Sequence, residues 1–128
     1  MKKETLRLLI VDDSVLVVER IKNLLSGVEG ISILGYPESA KKALQLVKDA
    51  NPDVILLDIN LPDESGIDFL KMIKKKFPKI SVIMLTNFSG DHYREVCKKH
   101  GADYFFDKSF EFEGIIPALA ELMKRTIF

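Results

Sequence analysis

The stretch VILLDINLPDESG, residues 54–66, joins four consecutive apolar residues to a carboxylate and a polar loop. Val54–Leu57 shows no alternation, which predicts a short strand covered on both faces, as in a parallel sheet. From Ser65 the period changes: Ile67, Leu70, Ile73 and Phe77 fall on one helical stripe over Ser65–Phe77, with Lys71, Lys74, Lys75 and Lys76 outward. The same order governs LRLLIVDDS, residues 6–14, where Leu6–Val11 ends in Asp12 and Asp13 and Ser14 opens a helix. Ser14–Ser26 carries Val15, Val18, Ile21, Leu24 and Leu25 on one side, and Gly27 can stop it.

The rest of the chain repeats this rhythm. Further apolar runs lie at Ile31–Gly35, Ile80–Leu85 and Tyr104–Phe106, and further helical segments at Ser39–Ala50, Asp91–His100 and Glu113–Arg125. Pro117 falls inside the last pattern, so that helix begins close to Glu113 or is irregular there. Strand and helix alternating five times predict an α/β fold, a doubly wound five-stranded parallel sheet with five helices and right-handed crossovers. The order 2-1-3-4-5 puts the first, third and fourth strands in the middle and the two shorter or polar-flanked runs at the edges. Ligands of such sheets bind at the carboxyl ends of the strands, where the winding direction reverses. Function should therefore be written just after Val11 and Leu57.

Composition narrows the classes. The 128 residues make one domain, 47% hydrophobic and 30% charged. Nineteen basic and nineteen acidic residues cancel, leaving no global charge to hold nucleic acid or an anionic membrane. Cys97 has no second cysteine for a disulfide or zinc cluster, and it reads as a packing residue. The basic start and short apolar run of MKKETLRLLIVDDS are cut off by Asp12 and Asp13 too early for a signal peptide, and no run approaches a membrane span. The expected location is the cytoplasm.

Asp12, Asp13 and Asp58 converge at the switch point. Two like charges 4 Å apart cost roughly 4 kcal/mol at an effective dielectric of about 20, so the cluster calls for a cation. Oxygen ligands favour Mg²⁺ or Mn²⁺. The structural alternative is that Asp13 caps a helix and Asp58 begins a loop. Thr86 and Lys108 follow the fourth and fifth strands, and beside a carboxylate–metal cluster they describe a phosphoryl site.

With these residues in place, the chain resembles the receiver domain of two-component response regulators. The resemblance rests on IVDDS (10–14), LLDINLPDESG (56–66), MLTN (84–87) and GADYFFDKS (101–109), and it covers essentially the whole chain. It implies a flavodoxin-like sheet. Asp58 is then the phosphoacceptor, Asp12 and Asp13 with Asp58 and the Asn60 carbonyl hold Mg²⁺, and Thr86 and Lys108 contact the phosphoryl oxygens. Thr86 and Phe105 are the implied switch pair, Pro62 and Gly66 shape the loop after the acceptor, and Asn60 and Phe88 flank the path of the hydrolytic water. The implied partners are a histidine kinase or histidine phosphotransfer protein and a downstream protein. The downstream protein would meet the fourth helix, fifth strand and fifth helix near Tyr93, Val96, Tyr104 and Leu119, with no direct contact to nucleic acid or membrane. The chain is expected to be a single receiver domain over 1–128 without an output domain, not itself an enzyme. The alternative is a receiver fragment of a longer regulator.

The chain departs from the family pattern at several places. Ser109 stands where the family has proline after the lysine, and a cis bond there would cost roughly 2.5–4 kcal/mol. Asn87 is larger than the usual residue after the threonine, and Phe105 lacks a tyrosine hydroxyl. An aspartate-nucleophile phosphatase of the haloacid-dehalogenase kind would want a carboxylate where Asn60 stands. A flavodoxin-like cofactor site would be repelled by Asp12-Asp13. His92 and His100 read as solvated, Lys74–Lys76 as an exposed helix face, and Tyr36, Tyr93 and Tyr104 form no stacking platform.

Overall fold

The computed structural model describes residues 5–127. Met1–Glu4, which include the two lysines of the basic start, lie outside the described residues. Strands β1 (Leu6–Val11), β2 (Ile31–Gly35), β3 (Val54–Leu57), β4 (Ser81–Thr86) and β5 (Tyr104–Asp107) alternate with helices α1 (Val15–Leu25), α2 (Ala40–Ala50), α3 (Gly66–Lys76), α4 (Asp91–Lys99) and α5 (Ile115–Ile127). The strands form one parallel sheet in the order β2-β1-β3-β4-β5. Among the described residues no helix is long and apolar enough to cross a membrane.

Strand residues alternate between two cores. Leu9, Val11, Ile55, Leu57, Val82 and Met84 point to the layer of α2, α3 and α4, with Ala43, Val47, Phe69, Ile73 and Cys97. Leu8, Ile10, Val54, Leu56, Ile83 and Leu85 point to α1 and α5, with Ile21, Leu25, Ile115, Leu119 and Leu122. Two-sided burial is why these runs lack alternation. Ser14, Ser39 and Ser65 cap α1, α2 and α3 by accepting from Val17, Lys42 and Ile67 N–H, each cap contributing about 1 kcal/mol. Asn51 ends α2 in the left-handed region at φ 48°.

Several side chains sit differently from the sequence reading. Val15 is 74% exposed. It begins α1, so the helix's buried stripe starts one turn later, at Val18. Lys74 does not face water: its Nζ reaches Ile80 O and Asp103 Oδ2, both at 2.9 Å, tying α3 to β4 and to the start of β5. Leu119 is core rather than surface, because it lies on the stripe of α5 that packs on the sheet. A 3-10 turn, Phe112–Gly114, precedes α5, which leaves Pro117 in the first turn, where no helical donor is lost. Strand β4 runs from Ser81 to Thr86 and β5 extends to Asp107, so Thr86 is a strand's last residue.

Candidate functional site

Register brings the acids together. Val11 pairs with Leu57, so Asp12 and Asp58 leave neighbouring strands at the same height. Thr86 pairs with Asp107, which delivers Lys108 to the same rim, its N–H bonded to Thr86 O at 3.0 Å. Asp12, Asp58, Thr86 and Lys108 are all buried, while Asp13 is exposed.

The Lys108 Nζ lies 2.8 Å from Asp12 Oδ2 and 3.0 Å from Asp58 Oδ2. One ammonium thus serves two buried carboxylates. Burial works against the charged lysine, but its hydrogen bond to Asp12 and the charges of Asp12 and Asp58 more than offset this and raise its proton affinity. Burial pushes the Asp12 carboxyl above its usual range, against the pull of Lys108 and of the Ser14 N–H, which donates to its Oδ1 at 2.8 Å. Asp12 therefore closes the turn into α1, while Ser14 is the helix cap. Oxygens of Asp12, Asp13 and Asp58 lie within 4.8 Å of one another. Three carboxylates at that spacing fit a hard divalent cation.

The loop after Asp58 is held from two directions. Asn60 N–H donates to Asp58 Oδ1 at 3.3 Å, and Asn60 bridges to Ser65. Asp63 accepts from Ala40 and Lys41 N–H, both at 2.9 Å, so it caps α2, and those donors hold its carboxyl below the usual range. Gly66 N–H donates to Ile59 O at 2.6 Å. A Cβ at Gly66 would stand 2.0 Å from Asp58 O, so only glycine lets α3 start this close to the end of β3.

Thr86 Oγ1 accepts from Phe88 N–H at 3.2 Å; the side chain is fully buried and is turned into its own loop. Phe88 is 42% exposed and packs on Tyr93 with ring centroids 5.6 Å apart. With Asn60, both line a cleft of about 350 Å³ against the loop that follows Asp58. Phe105 is half-buried in the α4 layer, with the Arg94 guanidinium 4.9 Å from its ring centroid, and so stands apart from the carboxylates. Val15 (74%), Leu16 (83%) and Phe110 (89%) are exposed apolar residues beside Asp13 and Lys108 in the chain. His92 is exposed, and Cys97 is buried, its thiol pushed up to about 11 by burial.

The sequence reading missed what holds Lys108. Asp107 Oδ1 accepts from Ser109 N–H at 2.6 Å and Phe110 N–H at 3.0 Å, and Asp107 O accepts from Glu111 N–H at 2.9 Å. The Ser89 hydroxyl, those two N–H groups and the Arg94 charge hold the Asp107 carboxyl below its usual range. No peptide bond among the described residues is cis, so Lys108–Ser109 is trans. Arg20 donates to Lys108 O at 3.4 Å while lying 3.8 Å from the Phe112 ring centroid. Asp107 two residues before Ser109 is an Asx-turn signature and was legible. The role of Arg20, distant in sequence, was not.

Comparison with known proteins gives one consistent result. The model of the response regulator receiver domain family matches residues 8–120. A protein-glutamate methylesterase/protein-glutamine glutaminase of Trichodesmium erythraeum is 40% identical over 80 residues, which are 62% of this chain and 23% of that protein. The transcriptional regulatory protein MctR of Rhizobium johnstonii is 28% identical over 118 residues, 92% of this chain and 55% of that protein. Over 96% of both chains, the response regulator domain of Thermotoga maritima CheB superposes with a TM-score of 0.80 at 28% identity. The chain thus spans only 23% and 55% of the two curated relatives named.

Proposed function

The chain belongs to the response regulator receiver domain family, and on that premise we propose that it is a phosphoryl-accepting switch in which Asp58 is the acceptor. The observation that carries this is the shared ammonium of Lys108 between Asp12 and Asp58. It sets the buried Asp58 carboxyl at the rim beside a cation, with the oxygens of Asp12 and Asp13 close by.

A carboxylate oxygen of Asp58 attacks the phosphorus of a phosphohistidine on a kinase or phosphotransfer protein. The new P–O bond forms as the P–N bond breaks, and the imidazole leaves with the bonding pair and takes a proton from water. Lys108 stays at the rim and neutralises a phosphoryl oxygen; Thr86 turns its hydroxyl from Phe88 N–H to another. Asp12, Asp13, Asp58 and the Asn60 carbonyl would hold Mg²⁺ or Mn²⁺, which when bound supplies charge neutralisation for the transferring group. The exposed Val15, Leu16 and Phe110 suit an apolar contact with the donor. Phe88 offers no hydrogen bond to a water, so the acyl phosphate outlives that of a Phe88→Glu variant.

The output is a change of partner. Thr86 moving toward the phosphoryl group frees space for Phe105, and the face of α4, β5 and α5 near Tyr93, Val96 and Tyr104 carries the change to a downstream protein. A groove of about 280 Å³ lined by Arg94, Lys98, Asp103, Tyr104 and Phe105 lies on that face. This domain is a signalling element and not an enzyme. On this reading the domain works in the cytoplasm, where a histidine kinase would meet it.

Acetyl phosphate with Mg²⁺ should add one phosphoryl group to the wild type and none to Asp58→Asn, read by mass. Phosphate on His92 or His100 instead would overturn the reading.

A further inference from the structure

The Arg94 guanidinium joins three segments. Its Nε donates to Ser89 O at 3.3 Å in the loop after β4, and its Nη1 donates to Phe105 O at 3.4 Å in β5. Its Nη2 pairs with Glu111 Oε1, beyond Lys108 in the β5–α5 connection. The same Glu111 oxygen accepts from Asp107 N–H at 3.0 Å. Asp107, in turn, forms the turn that carries Lys108. A planar fork can satisfy three acceptors on three segments at once; an ammonium on a flexible stem has no such geometry.

We propose that Arg94 and Glu111 are positioning residues that clamp the Lys108 loop to the Thr86–Ser89 loop, setting where the Lys108 ammonium stands between Asp12 and Asp58. This rests on the phosphoacceptor reading for its consequence in rate, but not for its geometry. The turn that carries Lys108 is closed by the Asp107 bonds to Ser109 and Phe110 N–H and tied to β4 by Lys108 N–H on Thr86 O at 3.0 Å. Arg20 anchors one side of it at Lys108 O, and Arg94 through Glu111 anchors the other. The Arg94–Glu111 pair is partly exposed, with side chains 36% and 41% accessible, so it adds little to global stability. Its effect is on position, and small misplacements of a charge-stabilising group cost rate steeply.

The test uses Glu111→Gln and Arg94→Lys, each alone and with Lys108→Ala, and Arg125→Gln as a control that breaks the exposed Arg125–Glu121 pair. With acetyl phosphate and Mg²⁺ at fixed concentrations, Arg94→Lys, which loses the fork, should slow phosphorylation about tenfold, Glu111→Gln, whose amide oxygen still accepts, less, and Arg125→Gln not at all. In the Lys108→Ala background, Arg94→Lys should cause no further loss. Without any donor, the Lys108 amide and ε-methylene signals should move in Arg94→Lys and stay in place in Arg125→Gln, with thermal midpoints nearly equal. Unmoved Lys108 signals at wild-type rate, or a tenfold loss that persists without Lys108, would overturn the proposal. If the wild type takes no phosphoryl group while the Lys108 signals still move, the acceptor reading fails and the clamp stands.

Discussion

Gly66→Ala tests whether the start of α3 sets the end of β3. The added Cβ meets Asp58 O at 2.0 Å, and Asp58 C and Ile59 Cα at 2.8 Å. All three are backbone atoms and cannot rotate aside. Ordinary contact begins at 3.4 Å, so helix and strand end must part by about 1.4 Å. That breaks the 2.6 Å bond from Gly66 N–H to Ile59 O, at a cost of about 1 kcal/mol. It also drags the buried Phe69 and Leu70 out of register, a strain of about 1–3 kcal/mol. The lower chain entropy of alanine returns about 0.5 kcal/mol. The net loss is about 1.5–3.5 kcal/mol, a large part of the roughly 5–15 kcal/mol that holds a domain folded. In urea the midpoint should fall by about 1–2 M with an unchanged slope. Gly27→Ala is the control: beyond its chain neighbours its added Cβ meets nothing within 4 Å, and its midpoint should stay close to wild type. Equal midpoints for the two variants would refute the reasoning.

Lys108→Met leaves Asp12 and Asp58 without their shared cation and should cost about 1–3 kcal/mol in the absence of divalent metal, partly restored by Mg²⁺, as measured by denaturation with and without chelator. Cys97, its thiol pushed up to about 11 and fully buried, should resist iodoacetamide at pH 8 in the folded protein and react once unfolded, followed by mass. Asp107 is held below its usual carboxyl range by Ser89, Ser109, Phe110 and Arg94, so its folded value lies below its unfolded one. Its stabilisation of the Lys108 turn is therefore complete above about pH 4 and is lost as pH falls through the lower folded value. Amide signals of Ser109 and Phe110 should titrate below pH 4, and Asp107→Asn should remove that titration.

Much of this protein was legible without coordinates. Unbroken apolar runs at Leu6–Val11 and Val54–Leu57 mean burial on both faces, and only a covered parallel sheet provides that. Strand order then placed Asp12, Asp13 and Asp58 at one rim, because ends of adjacent parallel strands share an edge. Ser14, Ser39 and Ser65 announced helix starts through local chemistry, a hydroxyl reaching its own next turn. Tertiary structure decided what depends on partners distant in the chain. Lys74 belonged to a lysine run by pattern, yet Asp103 and Ile80 draw it inward. Val15 matched an apolar stripe, but the stripe's buried part begins only at Val18. Gly66 was quoted with its motif, and only the approach of α3 to Asp58 O makes its missing Cβ a requirement. Arg94, Glu111 and Arg20 carried no signal at all, since a fork of hydrogen bonds is set by where three loops meet in space. Local periodicity and capping are written along the chain; the position of a charge a few ångströms from two others is a property of packing.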